Sequence, residues 1–141
     1  MRVRMGGGLR LSAQQVQMIL RHLRSEYPNE ACGLLGGRDG CAEKVYPLPN
    51  VMRSPVAYEV DPRALLEALM DMEDRGCEPV PLAIYHSHPH SEAYPSATDV
   101  RLAYYPDSTY LIVSLEHLLA PVMRAFRIVD GEVTEETVLV Q

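Results

Sequence analysis

The stretch Pro81-Leu82-Ala83-Ile84-Tyr85-His86-Ser87-His88-Pro89, then His90 to Pro95, then Ser96-Ala97-Thr98-Asp99, decides how the rest of the chain reads. Pro81 to His88 reads as a buried strand that turns polar at its C-terminal end. Side chains alternate along a strand, so His86 and His88 share one face, about 6.6 Å apart along it. From there both imidazoles can lean onto one ion. Pro89 has no N–H for a sheet ladder, so the strand must end and the chain turn. Ser96 reads as a helix start, with Asp99 one turn on and on the same helix face. A carboxylate returned to two imidazoles makes a His2Asp set with one open position. Catalytic zinc sites are built this way, whereas a closed structural site uses four protein ligands. Nitrogen and oxygen ligands favour Zn2+ over Mg2+ and also admit Fe2+ or Co2+. Spacing alone leaves a plainer account open: histidines cluster by chance, and Ser96 and Asp99 would serve equally as a cap and a first-turn acid. Nor does spacing choose a general base among twelve glutamates.

Working outward, Ser12 and Gln15 read as a capping box, and Val16, Ile19, Leu20, Leu23 and Tyr27 mark one helical face that Pro28 ends. Ala31 to Gly36 is a short apolar strand; Gly37-Arg38-Asp39-Gly40 turns it into a second strand around Ala42 to Tyr46. Pro47 to Pro55 is a loop, and Ala57 to Val60 a further short strand. Asp61-Pro62 is an N-cap followed by proline at the first helical position. Leu65, Leu66, Leu69 and Met72 carry that second helix to Gly76. The helix starting at Ser96 is short, to about Ala103. Tyr110 to Ser114 and Val122 to Val129 are strands, and Asp130-Gly131 makes a hairpin turn into Val133 to Val140. Helices and strands are mixed, and the last strands pair without helices between them. The expected class is α+β, or a three-layered α/β/α with a mixed sheet.

At 141 residues, 47% hydrophobic and 23% charged, the chain is expected to form one domain over residues 1–141. Thirteen cations against nineteen anions leave −6. That sign disfavours a partner held by nucleic-acid phosphate or by an anionic membrane surface. No apolar run approaches the roughly 18 residues of a membrane span, and Met1 to Leu11 lacks the apolar core of a secretory signal. Cys32, Cys41 and Cys77 are odd in number, which points to reduced thiols and a cytoplasmic protein. No Cys-x-x-Cys exists among them, the element a zinc nucleobase deaminase requires.

His86-x-His88-Pro89, six residues, Ser96, two residues and Asp99, with Glu30 upstream in Asn29-Glu30-Ala31-Cys32-Gly33-Leu34-Leu35-Gly36-Gly37, resembles the JAMM (MPN+) zinc metallopeptidases. The likeness covers nearly the whole chain, with the elements in the family's order. It implies a cytidine-deaminase-like α/β/α fold around a central mixed sheet. It also implies Zn2+ on His86, His88 and Asp99, Glu30 as general base, and Ser96 supporting the oxyanion. Without it Glu30 would read as a solvated loop carboxylate. Cys32, expected on the Glu30 face of its strand, reads as a packing residue, since no basic partner is evident nearby. Asn29 to Gly37, Glu92 to Asp99 and Arg127 to Glu136 are most similar to the bacterial members that act on ubiquitin-like sulfur-carrier proteins. The implied reaction is hydrolysis of the amide after a carrier's C-terminal Gly-Gly, releasing cysteine. The alternatives are an isopeptidase that removes a ubiquitin-like modifier from protein lysines and a non-catalytic MPN scaffold. A scaffold would have lost ligands, and here every expected position is filled. Asn50 to Tyr58 and Tyr104 to Tyr110 are short where the eukaryotic deubiquitinases extend.

Overall fold

The structure, a computed structural model, describes residues 8–141. Met1 to Gly7, and with them most of the stretch that bears on a secretory signal, lie outside the described residues. The elements are β1 (Leu9–Leu11), α1 (Ala13–Glu26), β2 (Cys32–Arg38), β3 (Cys41–Leu48), α2 (Pro62–Asp74), β4 (Ala83–His88), α3 (Ala97–Arg101), β5 (Thr109–Ser114), β6 (Val122–Val129), β7 (Glu132–Glu136) and β8 (Val138–Val140). The eight strands among the described residues lie in one sheet, in the order β7-β6-β5-β4-β2-β3-β1-β8. The sheet is mixed: β4 runs parallel to β5 and antiparallel to β2.

Local chemistry accounts for the boundaries. Ser12 Oγ accepts from Gln15 N at 3.0 Å while Gln15 Oε1 accepts from Ser12 N at 2.9 Å, closing the expected capping box on α1. Asp61 caps α2 through Ala64 N at 3.1 Å, with Pro62 in the first turn. Two hairpins turn on Asp-Gly pairs with positive φ at both residues: Asp39 (54°) and Gly40 (77°), Asp130 (50°) and Gly131 (81°). That is the two-residue geometry whose twist matches paired strands.

The pleat sorts the core into two clusters. One holds Leu35, Tyr85, Leu111 and Val113 with Ile19 and Leu23 of α1. The other holds Leu34, Ile84 and Tyr110 with Ala68 and Met72 of α2 and, partly buried, Val100 of the α3 segment. Helices therefore lie on both faces, α1 on one and α2 with α3 on the other. This is the expected α/β/α layering. Ile84, His86 and His88 share a strand face, so both histidines point to the α2–α3 side.

Three local expectations fail. Ala57 to Val60 is not a strand; only an isolated bridge, Asn50 to Val60, forms there, because Asn50 gathers the loop with its side chain. Val133 to Val140 is divided at Thr137: β7 pairs with β6, whereas β8 crosses to pair in parallel with β1, a strand the sequence reading lacked. Leu66 is 57% exposed, and Ala68 at 5% takes the inward position instead. Its face follows Leu65, Ala68, Leu69 and Met72, spaced three and four apart as a helical stripe requires. No helix among the described residues is long and apolar enough to cross a membrane.

Candidate metal centre

β4 ends at His88 because Pro89 has no amide hydrogen, and the turn that follows is tied to the sheet rather than loose. His88 O accepts from Leu115 N at 3.0 Å, and Ser114 Oγ donates to Ser91 O at 2.6 Å. Ala93, 3% exposed, packs with Ile112 and Phe126. The chain thus returns α3 to the strand end. There Ser96 Oγ accepts from Asp99 N at 3.0 Å, and Asp99 Oδ2 accepts from Ser96 N at 2.9 Å. The capping box does two jobs, starting a five-residue helix and aiming the carboxylate.

Asp99 Oδ2 lies 3.3 Å from His86 Nε2 and 3.0 Å from His88 Nε2, and the two Nε2 atoms are 3.1 Å apart. Among the described residues these three side chains form the cluster able to hold a metal. The hydrogen count decides what they want. His88 Nδ1 is 2.8 Å from the carbonyl oxygen of Glu92, which only accepts, so Nδ1 carries the ring's hydrogen and Nε2 offers a lone pair. With both rings neutral, three acceptor atoms converge and at most one hydrogen, on His86 Nε2, lies among them. A cation resolves that repulsion. A tetrahedron with metal–ligand bonds of about 2.0–2.1 Å has edges of about 3.3–3.4 Å. The observed separations of 3.0 to 3.3 Å are near that, so the donor set fits Zn2+.

The metal-free electrostatics run the same way. At Asp99 burial opposes ionisation, but the two imidazoles and the Ser96 amide outweigh it and hold the carboxyl well below the usual carboxylate range. At His86 burial disfavours the imidazolium and prevails over Asp99. At His88 burial is outweighed by Asp99 and the Glu92 carbonyl, and its pKa is raised.

Glu30 immediately precedes β2. Cys32 is registered with His86, and Ala31 N donates to Ser87 Oγ at 2.9 Å while Ser87 N donates to Ala31 O at 3.0 Å. Continuing that antiparallel register brings Glu30 alongside His88. Glu30 is 6% exposed, not the solvated loop carboxylate that composition alone suggests. Burial pushes its carboxyl up to about 7, with His88 pulling it down and Asp99 adding to the rise. Ser96 is exposed, and its hydroxyl accepts from Asp99 N, which leaves the hydroxyl hydrogen for another partner. His90 is turned away, its ring edge-on to Tyr27 at 5.5 Å. The three cysteines are free, and burial, followed by Glu30, pushes the Cys32 thiol up to about 12, as befits a packing residue.

The sequence reading missed Asn50 and Tyr58 in the loop between β3 and α2, and the Glu92 carbonyl. The Tyr58 ring lies against His86, with centroids 4.7 Å apart. It also walls an apolar cavity of about 230 Å3 whose lining includes Leu34, Leu65, Ile84 and Tyr110 together with His86 and Asp99. A lone asparagine between prolines carries the signal of a turn and nothing more.

Residues 12–129 match the family described as prokaryotic homologs of the JAB domain. The chain belongs to that JAB (JAMM/MPN) family. Over 130 residues this JAB domain is 44% identical to a CysO-cysteine peptidase of Mycobacterium tuberculosis, covering 91% of this chain and 88% of that one. Over 114 residues it is 41% identical to a desampylase of Haloferax volcanii, covering 75% and 80%. A solution structure of a Desulfitobacterium hafniense protein matches the JAB domain with a TM-score of 0.85 at 44% identity, over 94% of this chain and 92% of that one.

Proposed function

We propose that the protein is a zinc peptidase that hydrolyses the amide after the C-terminal Gly-Gly of a ubiquitin-like sulfur-carrier protein, releasing cysteine. The observation that carries this reading is the convergence of His86, His88 and Asp99 beside a buried glutamate. His86 Nε2, His88 Nε2 and Asp99 Oδ2 would hold the metal. When bound, zinc supplies a Lewis acid and lowers the pKa of water at the site. Glu30 takes the proton of the attacking water and returns it to the leaving amine. Without metal the Glu30 carboxyl is raised to about 7; a cation held beside it would favour the ionised form that accepts the proton. The Ser96 hydroxyl hydrogen, unused in the cap, donates to the oxygen that gains charge as the carbonyl becomes tetrahedral. Such a donor is worth about 3–4 kcal/mol of barrier.

The peptidase named for a carrier–cysteine substrate matches over nearly the full length of both chains, which favours cysteine release. Deconjugation from protein lysines is the second reading, favoured by the likeness to a desampylase. Both demand the same hydrolysis and differ in the amine that leaves. The test offers the zinc-loaded protein a carrier–cysteine adduct and, separately, the same carrier on a lysine side chain, and weighs the products. The expected result is faster loss of cysteine from the adduct, leaving a Gly-Gly end. Faster release from lysine favours deconjugation, and two intact substrates contradict the peptidase reading. A valine in place of the carrier's last glycine should slow cleavage, because a side chain there must be fitted beside the metal ligands.

A further inference from the structure

The two imidazoles of the site are oriented by different means. His88 is steered through its second ring nitrogen, which donates to Glu92 O at 2.8 Å. His86 has no such bond: its Nδ1 is buried without a hydrogen-bond partner. Metal-binding histidines ordinarily depend on a partner at the second nitrogen to fix the ring. What lies on the His86 ring is the ring of Tyr58, with centroids 4.7 Å apart and planes inclined by 31°.

The loop that carries Tyr58 is gripped by one side chain. Asn50 Nδ2 donates to Ala57 O at 3.1 Å and to Glu30 O at 2.9 Å. Asn50 Oδ1 accepts from Met52 N at 3.1 Å and from Glu59 N at 3.0 Å. The amide thereby uses two donors and two acceptor positions, its full capacity. Ala57 and Glu59 flank Tyr58, so Asn50 holds that residue's backbone from both sides while holding the backbone of Glu30. Val51 N donating to Glu59 O at 3.0 Å closes the loop below them.

We infer that Tyr58 is a positioning residue for His86 and that Asn50 ties it to Glu30, so that the β3–α2 loop sets the geometry between a metal ligand and the general base. The inference rests on the proposed roles of His86 and Glu30. Removing the Tyr58 ring should free the His86 ring and weaken metal binding by about 10-fold or more, the cost typical of losing an outer partner. Tyr58→Phe keeps the face and should restore it.

The test titrates metal-free wild type, Tyr58→Phe, Tyr58→Leu and Asn50→Ala with Co2+ against a chelator, recording the d–d absorption and a thermal melt of each. The expected result is weaker binding and an altered d–d band in Tyr58→Leu and Asn50→Ala, with Tyr58→Phe like wild type. Side-chain 15N NMR of the metal-free proteins gives a second readout: one sharp set of His86 ring signals in wild type and Tyr58→Phe, broadened signals in the other two. Wild-type affinity, spectrum and ring signals in folded Tyr58→Leu and Asn50→Ala overturn the inference and leave the metal centre standing. Failure of wild type to bind Co2+ overturns the metal centre, and this inference with it.

Discussion

Glu30 is the residue on which chemistry and stability can be separated. Glu30→Gln keeps the size and the hydrogen-bonding capacity of the side chain and removes the carboxylate proposed as the base. Metal content should stay at the wild-type level while turnover on a carrier–cysteine adduct falls by about 100-fold or more; metal analysis and product masses check the two halves. The same variant has a signature without metal. The folded carboxyl is raised from an ordinary 4.5 to about 7, so the stability attached to its protonated form is complete below pH 4.5 and is lost as the pH climbs through 7. Glu30→Gln should therefore melt higher than wild type at pH 8 and close to it at pH 4, by thermal melts of the metal-free proteins. Its neighbours show which side chains a sequence discloses. That His86 and His88 share one strand face, and Ser96 and Asp99 one helix face, was legible because strand alternation and helix capping are local rules. The places of Asn50 and Tyr58 were not, since their partners Glu30 and His86 lie 20 and 28 positions away and are met only in the folded chain.

The second helix docks on β3 through one carboxylate. Asp71 Oδ2 accepts from Lys44 Nζ at 2.8 Å, Tyr46 Oη at 2.6 Å and Arg75 Nε at 2.9 Å. Those three donors hold the Asp71 carboxyl below its ordinary range. A depressed carboxylate contributes stability above its unfolded pKa and loses it as the pH falls toward the folded value. Asp71→Asn should accordingly lower the melting temperature at pH 7, and the gap to wild type should narrow as the pH is taken down through 4. A constant gap would mean that shape, not charge, holds the helix. Both long helices were readable from their caps and from the Ile19–Leu23 and Leu65–Met72 spacings. What could not be read was that Leu66 faces outward, because a helix with leucines at 65, 66 and 69 offers two stripes and only the position of β2 and β3 selects one.

The whole sheet is held in a curl by its ends. β7 and β8 occupy opposite edges of an eight-stranded order yet are separated by Thr137 alone, so the edges must come round to meet there. Leu9 N donates to Thr137 O at 2.9 Å at that junction. Gly8 adopts φ +67°, and a Cβ on it would collide with Thr137 O. Gly8→Ala should cost about 1–3 kcal/mol, from overpacking and from an alanine forced into the left-handed region. Hydrogen exchange should quicken first at β1 and β8 amides. The closure was invisible in the sequence because β1 and β8 have three residues each, too short for a period, and pair across the length of the chain. The layering was readable, since mixed elements with two apolar faces admit few architectures.

One measurement bears on the centre most directly: zinc per chain in purified wild type and in His86→Ala/His88→Ala, by metal analysis, with circular dichroism alongside. His86 and His88 stand at the end of β4, where Pro89 already stops the ladder, so the double variant should keep the fold. About one zinc per chain in wild type and none in the folded double variant is the predicted result. Full zinc occupancy in the double variant would contradict the His86–His88–Asp99 centre.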